Sequence, residues 1–184
     1  MYIQSMKTIL KITKNELSTL FYSPIAWLIL IIFTFQSGMA YAEAWADALR
    51  SQALGYTVYG ATERLLLGWS GAISSMQEHL YLYIPLLTMG LMSQEYNRGS
   101  IKLLYSSPVT NKQIIFGKYL SMIIYALILV AILFIYYAFT AFTIKAIDTP
   151  FVMTALLGIF LMICAYAAIG LFMSSLTSYQ VVAA

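Results

Sequence analysis

SQEYNRGSIKLLYSSPVTNKQIIFGKYL, Ser93 to Leu120, is polar, cationic and broken by a glycine and a proline. It follows IPLLTMGLM (Ile84–Met92) and leads into SMIIYALILVAILFIYYAF (Ser121–Phe139). The two flanks read as segments for lipid. The fold therefore turns on what a polar segment does between two membrane spans.

Composition places the whole chain in the membrane class. Of its 184 residues, 61% are hydrophobic and 9% charged, with a mean hydropathy of +0.82. A soluble domain carries roughly 25% charged residues, so this chain lacks the polar surface to cover itself in water. The single cysteine, Cys164, lies among apolar residues, which excludes a disulfide framework and a paired-thiol metal site.

Four windows are free of charge: Ile25–Ala42, Leu80–Gln94, Leu120–Ile144 and Phe151–Met173. They hold 18, 15, 25 and 23 residues, and a bilayer core of about 30 Å needs roughly 20 helical residues. The second is short by itself. Either Glu78 and His79 lie at an interface, or that helix starts earlier, near Leu65. The expectation is an all-α integral membrane protein with four transmembrane helices, at about 25–42, 78–94, 119–144 and 151–173.

Lys and Arg set the orientation. Lys7, Lys11 and Lys14 precede the first window, and Arg98, Lys102, Lys112 and Lys118 occupy the loop 95–118. Against these stand Arg50, Arg64 and Lys145 on the other side. The bias puts the N-terminus and the loop 95–118 in the cytoplasm. Ala40-Tyr41-Ala42 has the form of a signal-peptide cleavage site, but it falls too late, behind too long an apolar run.

Residues 1–24 read as an interfacial helix. At 100° per residue, Ile3, Met6, Ile9, Leu10, Leu17, Leu20 and Phe21 share one arc of about 120°. Lys7, Lys11 and Lys14 sit beside it, placed to anchor the helix on anionic headgroups. The plainer alternative is a basic flank that anchors the first span. Ser23-Pro24 ends the segment.

No Asp, Glu, Lys, Arg or His lies inside any window. Such groups cost about 2.5–3.5 kcal/mol on insertion scales and survive where proton relays need them. Their absence argues against a proton-coupled carrier and against intramembrane hydrolysis; no catalytic residue, metal site, bound cofactor or nucleic-acid partner is expected. Gly117-Lys118 is followed by Tyr119, so there is no phosphate-cradling loop. If ATP drives this protein, another chain hydrolyses it.

The second helix should end near Asn97-Arg98-Gly99, with Gly99 as the stop. Ser100 can cap a short helix, Ile101 to Tyr105, and Pro108 turns the chain. Thr110 or Asn111 then caps the next helix, with Gln113 spaced as a capping box requires. A short helix held across the inner face by two spans is a lever; an ordinary solvated loop is the alternative.

The run from Glu95 to Leu120, with its acidic/basic cluster, G-S, Leu-rich turn, S-P, capped helix and G-K, resembles the cytoplasmic loop of ABC-2 type transporter permeases. IPLLTMGLM resembles the end of that family's second span. More narrowly, the chain resembles the gliding-motility (GldF-like) permeases of Bacteroidetes, some fused to a GldG-like region. The resemblance implies a permease subunit in the bacterial inner membrane, paired with a second permease copy and bound to a cytoplasmic ATP-binding-cassette ATPase. ATP and Mg would be bound by that ATPase. It implies a connecting helix at the N-terminus and a coupling helix around Arg98–Tyr105. Glu95, Arg98 and Lys102 would be the polar contacts, Ser100 the cap, and Gly99 and Pro108 the shaping residues. The family has six spans, so the chain reads as an N-terminal portion with the first four.

On the fourth span, Cys164 with Ala168 and Gly170 with Ser174 are small-xxx-small pairs, suited to packing inside one subunit or to a dimer seam. Tyr81, Tyr83, Tyr136 and Tyr137 suit an aromatic belt or the lining of a substrate path. Two functions stay open: the permease of an ATP-driven exporter, or a membrane scaffold whose basic loop binds lipid or a non-ATPase partner. The substrate is not legible.

Overall fold

The computed structural model describes residues 2–55, 60, 63–68, 71–89, 91, 109–144 and 147–176, and all regular structure among them is helical. The helices are α1 (Tyr2–Tyr22), α2 (Pro24–Ala53), α3 (Ala72–Thr88), α4 (Asn111–Thr143) and α5 (Thr149–Leu176), with a π-helical turn at Glu63–Leu67. Three of them, α2, α4 and α5, are long and apolar enough to cross a membrane. Ile31, Phe35, Ile135, Phe142 and Leu157 stand exposed on them. Such a surface is stable against lipid rather than water. This is a multi-pass membrane protein.

The helices outrun the charge-free windows. α2 was expected over 25–42 and continues to Ala53, because Tyr41 and Ala44 prolong a buried stripe past the first charged residues. α3 was expected over 78–94 and begins at Ala72 rather than Glu78. Ile73, Met76 and Leu80 are buried on one face of its polar first half, while Gln77 and Glu78 are exposed. A window without charge tracks lipid contact; a helix needs only a stripe to bury. The alternative start near Leu65 is also corrected. Leu65 and Leu66 are buried in the separate π-helical turn, and Gly71 closes a turn onto the Gly68 carbonyl before α3 begins. At 17 residues, α3 is about 25 Å long.

The expected break at Ser23-Pro24 and the expected helix start after Thr110 are found. Ser23 separates α1 from α2 and Pro24 occupies the first position of α2, where its missing N–H is harmless. Trp27 Nε1 donates to the Phe21 carbonyl (2.8 Å) across this corner, and Tyr125 Oη donates to the Ala26 carbonyl (2.9 Å). α4 starts at Asn111, and the Thr110 N–H donates to Gln113 Oε1 (3.0 Å), which is one half of the capping box read from the sequence. The short helix expected at Ile101–Tyr105 lies outside the described residues.

Two compact units emerge. The first takes the described parts of Met1–Leu28, Tyr81–Ala126 and Ile163–Ala184. Its core includes Leu20, Tyr83, Ile84, Met122, Tyr125 and Ala167. The second takes those of Ile29–Leu80 and Leu127–Met162. Within it, hydroxyls join α2 to α4: Tyr41 Oη pairs with Thr140 Oγ1 (2.7 Å), and Tyr136 Oη donates to the Thr34 carbonyl (3.3 Å). Tyr137 Oη donates to Thr149 Oγ1 (3.1 Å), tying α4 to α5. Tyr136 and Tyr137, two of the four tyrosines considered for a belt or a path, thus bond across helices. A cavity of about 280 Å³, lined by Leu67, Ser74, Gln77, Gly158 and Met162 among others, opens in this second unit.

Candidate functional site

The first unit holds a buried cation. Ile114, Gly117, Lys118, Ser121, Met122 and Tyr125 recur at helical spacing along α4 and are all buried. Lys118 therefore points into the core by its place in the stripe, with 1% of its surface exposed. Its ammonium donates to Glu16 Oε1 of α1 (2.8 Å) and to the carbonyl of Leu91, beyond the end of α3 (2.7 Å). The charge pair has side-chain exposures of 2% and 15%, in contrast to Arg50–Asp47, where both partners stand in the open at 3.7 Å. Three elements converge on one nitrogen.

The approach of α1 to α4 is set one residue earlier. A Cβ on Gly117 would lie 2.6 Å from Ile12 Cγ2 and 2.8 Å from Ile12 Cβ, so only glycine lets the helices this close. Buried Thr13 donates its hydroxyl to its own Ile9 carbonyl (2.9 Å) and shares it with the Gly117 carbonyl (3.1 Å). A buried ammonium without partners is costly, and pairing repays the cost only with good geometry. Here the fixed spacing supplies that geometry. Paired in this way, Lys118 holds α1, Leu91 and α4 in one register; the arrangement is mechanical rather than catalytic. No cluster of metal-ligating side chains occurs among the described residues.

A second junction joins α5 to α3. A Cβ on Gly170 would collide with the Thr88 side chain, and Ser174 Oγ donates to the Met89 carbonyl (3.0 Å). Thr88 and Ser174 are fully buried. Of the two small-residue pairs read on the fourth span, Gly170 and Ser174 thus pack within this chain. Cys164 accepts Tyr119 Oη at its backbone carbonyl (3.2 Å), and Ala168 is exposed.

Glu95, Arg98, Gly99, Ser100, Lys102 and Pro108 lie outside the described residues. Lys7, Lys11 and Lys14 are exposed along α1. The apolar arc of α1 divides: Leu20 is buried, while Met6 and Leu10 stay 60% and 56% exposed beside the lysines. Sequence reasoning counted Lys118 with the loop cations and passed over Glu16. The signal was there, since Glu16 is the one carboxylate of residues 1–24 and falls at the edge of the apolar arc, away from the lysines.

With this geometry in place, likeness to known proteins can be weighed. The profile of the ABC-2 family transporter proteins matches residues 10–184, nearly the whole chain. The chain belongs to the ABC-2 transporter family. Over 54 residues it is 37% identical to the uncharacterized protein YhcI of Bacillus subtilis (strain 168), a stretch covering 29% of this chain and 17% of YhcI. The chain therefore spans well under two thirds of that relative. No solved structure matches. As an ABC-2 family chain, it places its buried ion pair between the N-terminal helix and the end of the run Glu95–Leu120, whose residues carry the family likeness.

Proposed function

We propose that this chain is the permease subunit of an ATP-binding-cassette exporter in a bacterial inner membrane, its N-terminus and loop 95–118 in the cytoplasm. α2, α3, α4 and α5 form its four spans. A separate cytoplasmic ATPase binds the loop through Glu95, Arg98 and Lys102, with Gly99, Ser100 and Pro108 shaping the contact, and it alone binds ATP and Mg. Two permease copies work as a pair. The observation that carries this reading is the family match over residues 10–184. The ion pair supports it, because Lys118 and Leu91 bracket the loop on either side and a load on the loop reaches both. At 17 residues and about 25 Å, α3 spans with its ends drawn toward the interfaces, which costs only fractions of a kcal/mol per Å of mismatch. A link to gliding motility rests on likeness of sequence alone.

The test is affinity purification of the tagged full-length protein from native membranes in mild detergent, beside a variant carrying Arg98→Glu and Lys102→Glu. Recovery of a Walker-motif ATPase with the parent, and its loss with the double variant, is the expected result. If no ATPase appears while the protein stays dimeric, the loop belongs to a scaffold that binds lipid or another protein.

A further inference from the structure

The buried pair does not sit where a purely structural ion pair is most useful. Elsewhere the first unit is joined by apolar packing and by neutral hydroxyl-to-carbonyl bonds, as at Ser174–Met89 and Tyr125–Ala26. Those bonds fix α5 to α3 and α4 to α2 without burying charge. At Lys118 the chain instead buries a full charge, and it gives that charge partners on two different elements. One is Glu16, on the helix that carries Lys7, Lys11 and Lys14 on its exposed face. The other is a backbone carbonyl at Leu91, the last described residue before the segment 92–108.

The Leu91 carbonyl ties the ammonium to the stretch of chain that leads into the loop. It offers two lone pairs without a charge of its own, so it holds the cation while Glu16 neutralises it. Displacement of Leu91 draws the ammonium with it, and Glu16, bonded to the same nitrogen, follows. Movement at Leu91 is thus carried to α1 through a pair that stays compensated during the movement. The glycine at 117 keeps α1 close enough for that transfer, and Thr13 guides the same contact.

We propose that Glu16 and Lys118 are positioning residues for energy coupling: they make α1 follow the nucleotide-driven displacement of the loop. This rests on the permease reading above. The pair predicts that α1 changes its exposure with the nucleotide state of the ATPase, and that it does so only while the pair is intact.

The experiment uses the full-length protein co-purified with its ATPase in nanodiscs. Cys164→Ser removes the only cysteine of the 184 residues, and Ser18→Cys, on the exposed face of α1, becomes the reporter. Maleimide labelling at residue 18 is timed without nucleotide and after trapping with ATP and vanadate. In the parent the rate changes several-fold on trapping. With Glu16→Gln or Lys118→Met the change is lost while the ATPase still co-purifies and still hydrolyses ATP. Glu16→Asp, which keeps a carboxylate opposite the ammonium, retains it, which loss of folding would not. If Lys118→Met fails to assemble, Glu16→Gln and Glu16→Asp decide. A parent blind to nucleotide, or an undiminished response with Glu16→Gln, overturns the proposal and leaves the permease reading standing. Absence of any ATPase from the parent overturns both.

Discussion

Gly170 of α5 lies directly against Thr88 of α3, close enough that the threonine side chain occupies the space a Cβ would need. One turn on, Ser174 bonds the Met89 carbonyl. In lipid, helices gain nothing from hiding apolar surface from each other, so contact and backbone bonding must hold them. Gly170→Ala should lower stability by about 1–3 kcal/mol through overpacking. Thermal inactivation in detergent measures it, and Thr88→Ala in the same chain should return part of the loss. Equal loss in the single and double variants would show that the contact is not what fixes the spacing.

At Lys118 the loss should be larger. Removing one member of a buried pair leaves the other unpaired, at about 3–5 kcal/mol. Glu16→Gln is expected to lower the melting temperature more than Lys118→Met, since it takes the compensating charge from Lys118, the more buried member. Exchange of the two charges should recover only part of it, because a carboxylate at 118 cannot bond the Leu91 carbonyl, as read by fluorescence-detected size exclusion after heating.

Gly117→Ala tests the closeness of α1 to α4. The new methyl group meets Ile12, a β-branched side chain with little freedom to move aside. Destabilisation of about 1–3 kcal/mol is expected, and pairing it with Ile12→Ala should relieve it. The double variant is the informative one.

In the second unit, Tyr41→Phe removes a hydroxyl paired with Thr140. Interhelical bonds of this kind average about 0.6 kcal/mol in membranes, so the change in melting temperature should be slight. A loss as great as that of Lys118→Met would mean that Tyr41 does more than join α2 to α4.

The exposed lysines of α1 bear on lipid. Replacing Lys7, Lys11 and Lys14 together by glutamine should weaken attraction to anionic vesicles by about 1 kcal/mol for each charge near the surface. Flotation of the reconstituted α1 segment (fused to a soluble carrier) with anionic and neutral vesicles compares the two. Binding that ignores lipid charge would assign the lysines another purpose.

How much of this was legible beforehand follows physical lines. Apolar windows located α2, α4 and α5 because lipid imposes hydrophobicity residue by residue. The elbow at Ser23-Pro24 and the capped start of α4 were legible because proline and capping residues act locally. Helix ends such as Ala53 and Ala72 were not, since they depend on partners distant in sequence. The same holds for the pair Glu16–Lys118, separated by 102 positions. Lys118 counted toward loop charge because a cation beside a span looks like a flank; only the stripe Ile114, Gly117, Lys118, Ser121 shows that it faces inward. Tyr136 and Tyr137 were read with Tyr81 and Tyr83 as belt or path; that their hydroxyls reach across to other helices was not legible, since the partners are chosen by packing.

The length of α2 has its own outcome. Thirty residues make a rod of about 45 Å, against a hydrocarbon layer of about 30 Å. Tilting absorbs some of the excess, but Glu43, Asp47 and Arg50 need water. The last turns of α2 therefore stand clear of the bilayer like a mast, and just past its end Gly55 takes a positive φ of 81°. Anything arriving at the membrane from that side meets this charged stub before it meets lipid. A small epitope inserted after Gly55 should be reached by antibody on sealed vesicles of one orientation and refused on the other.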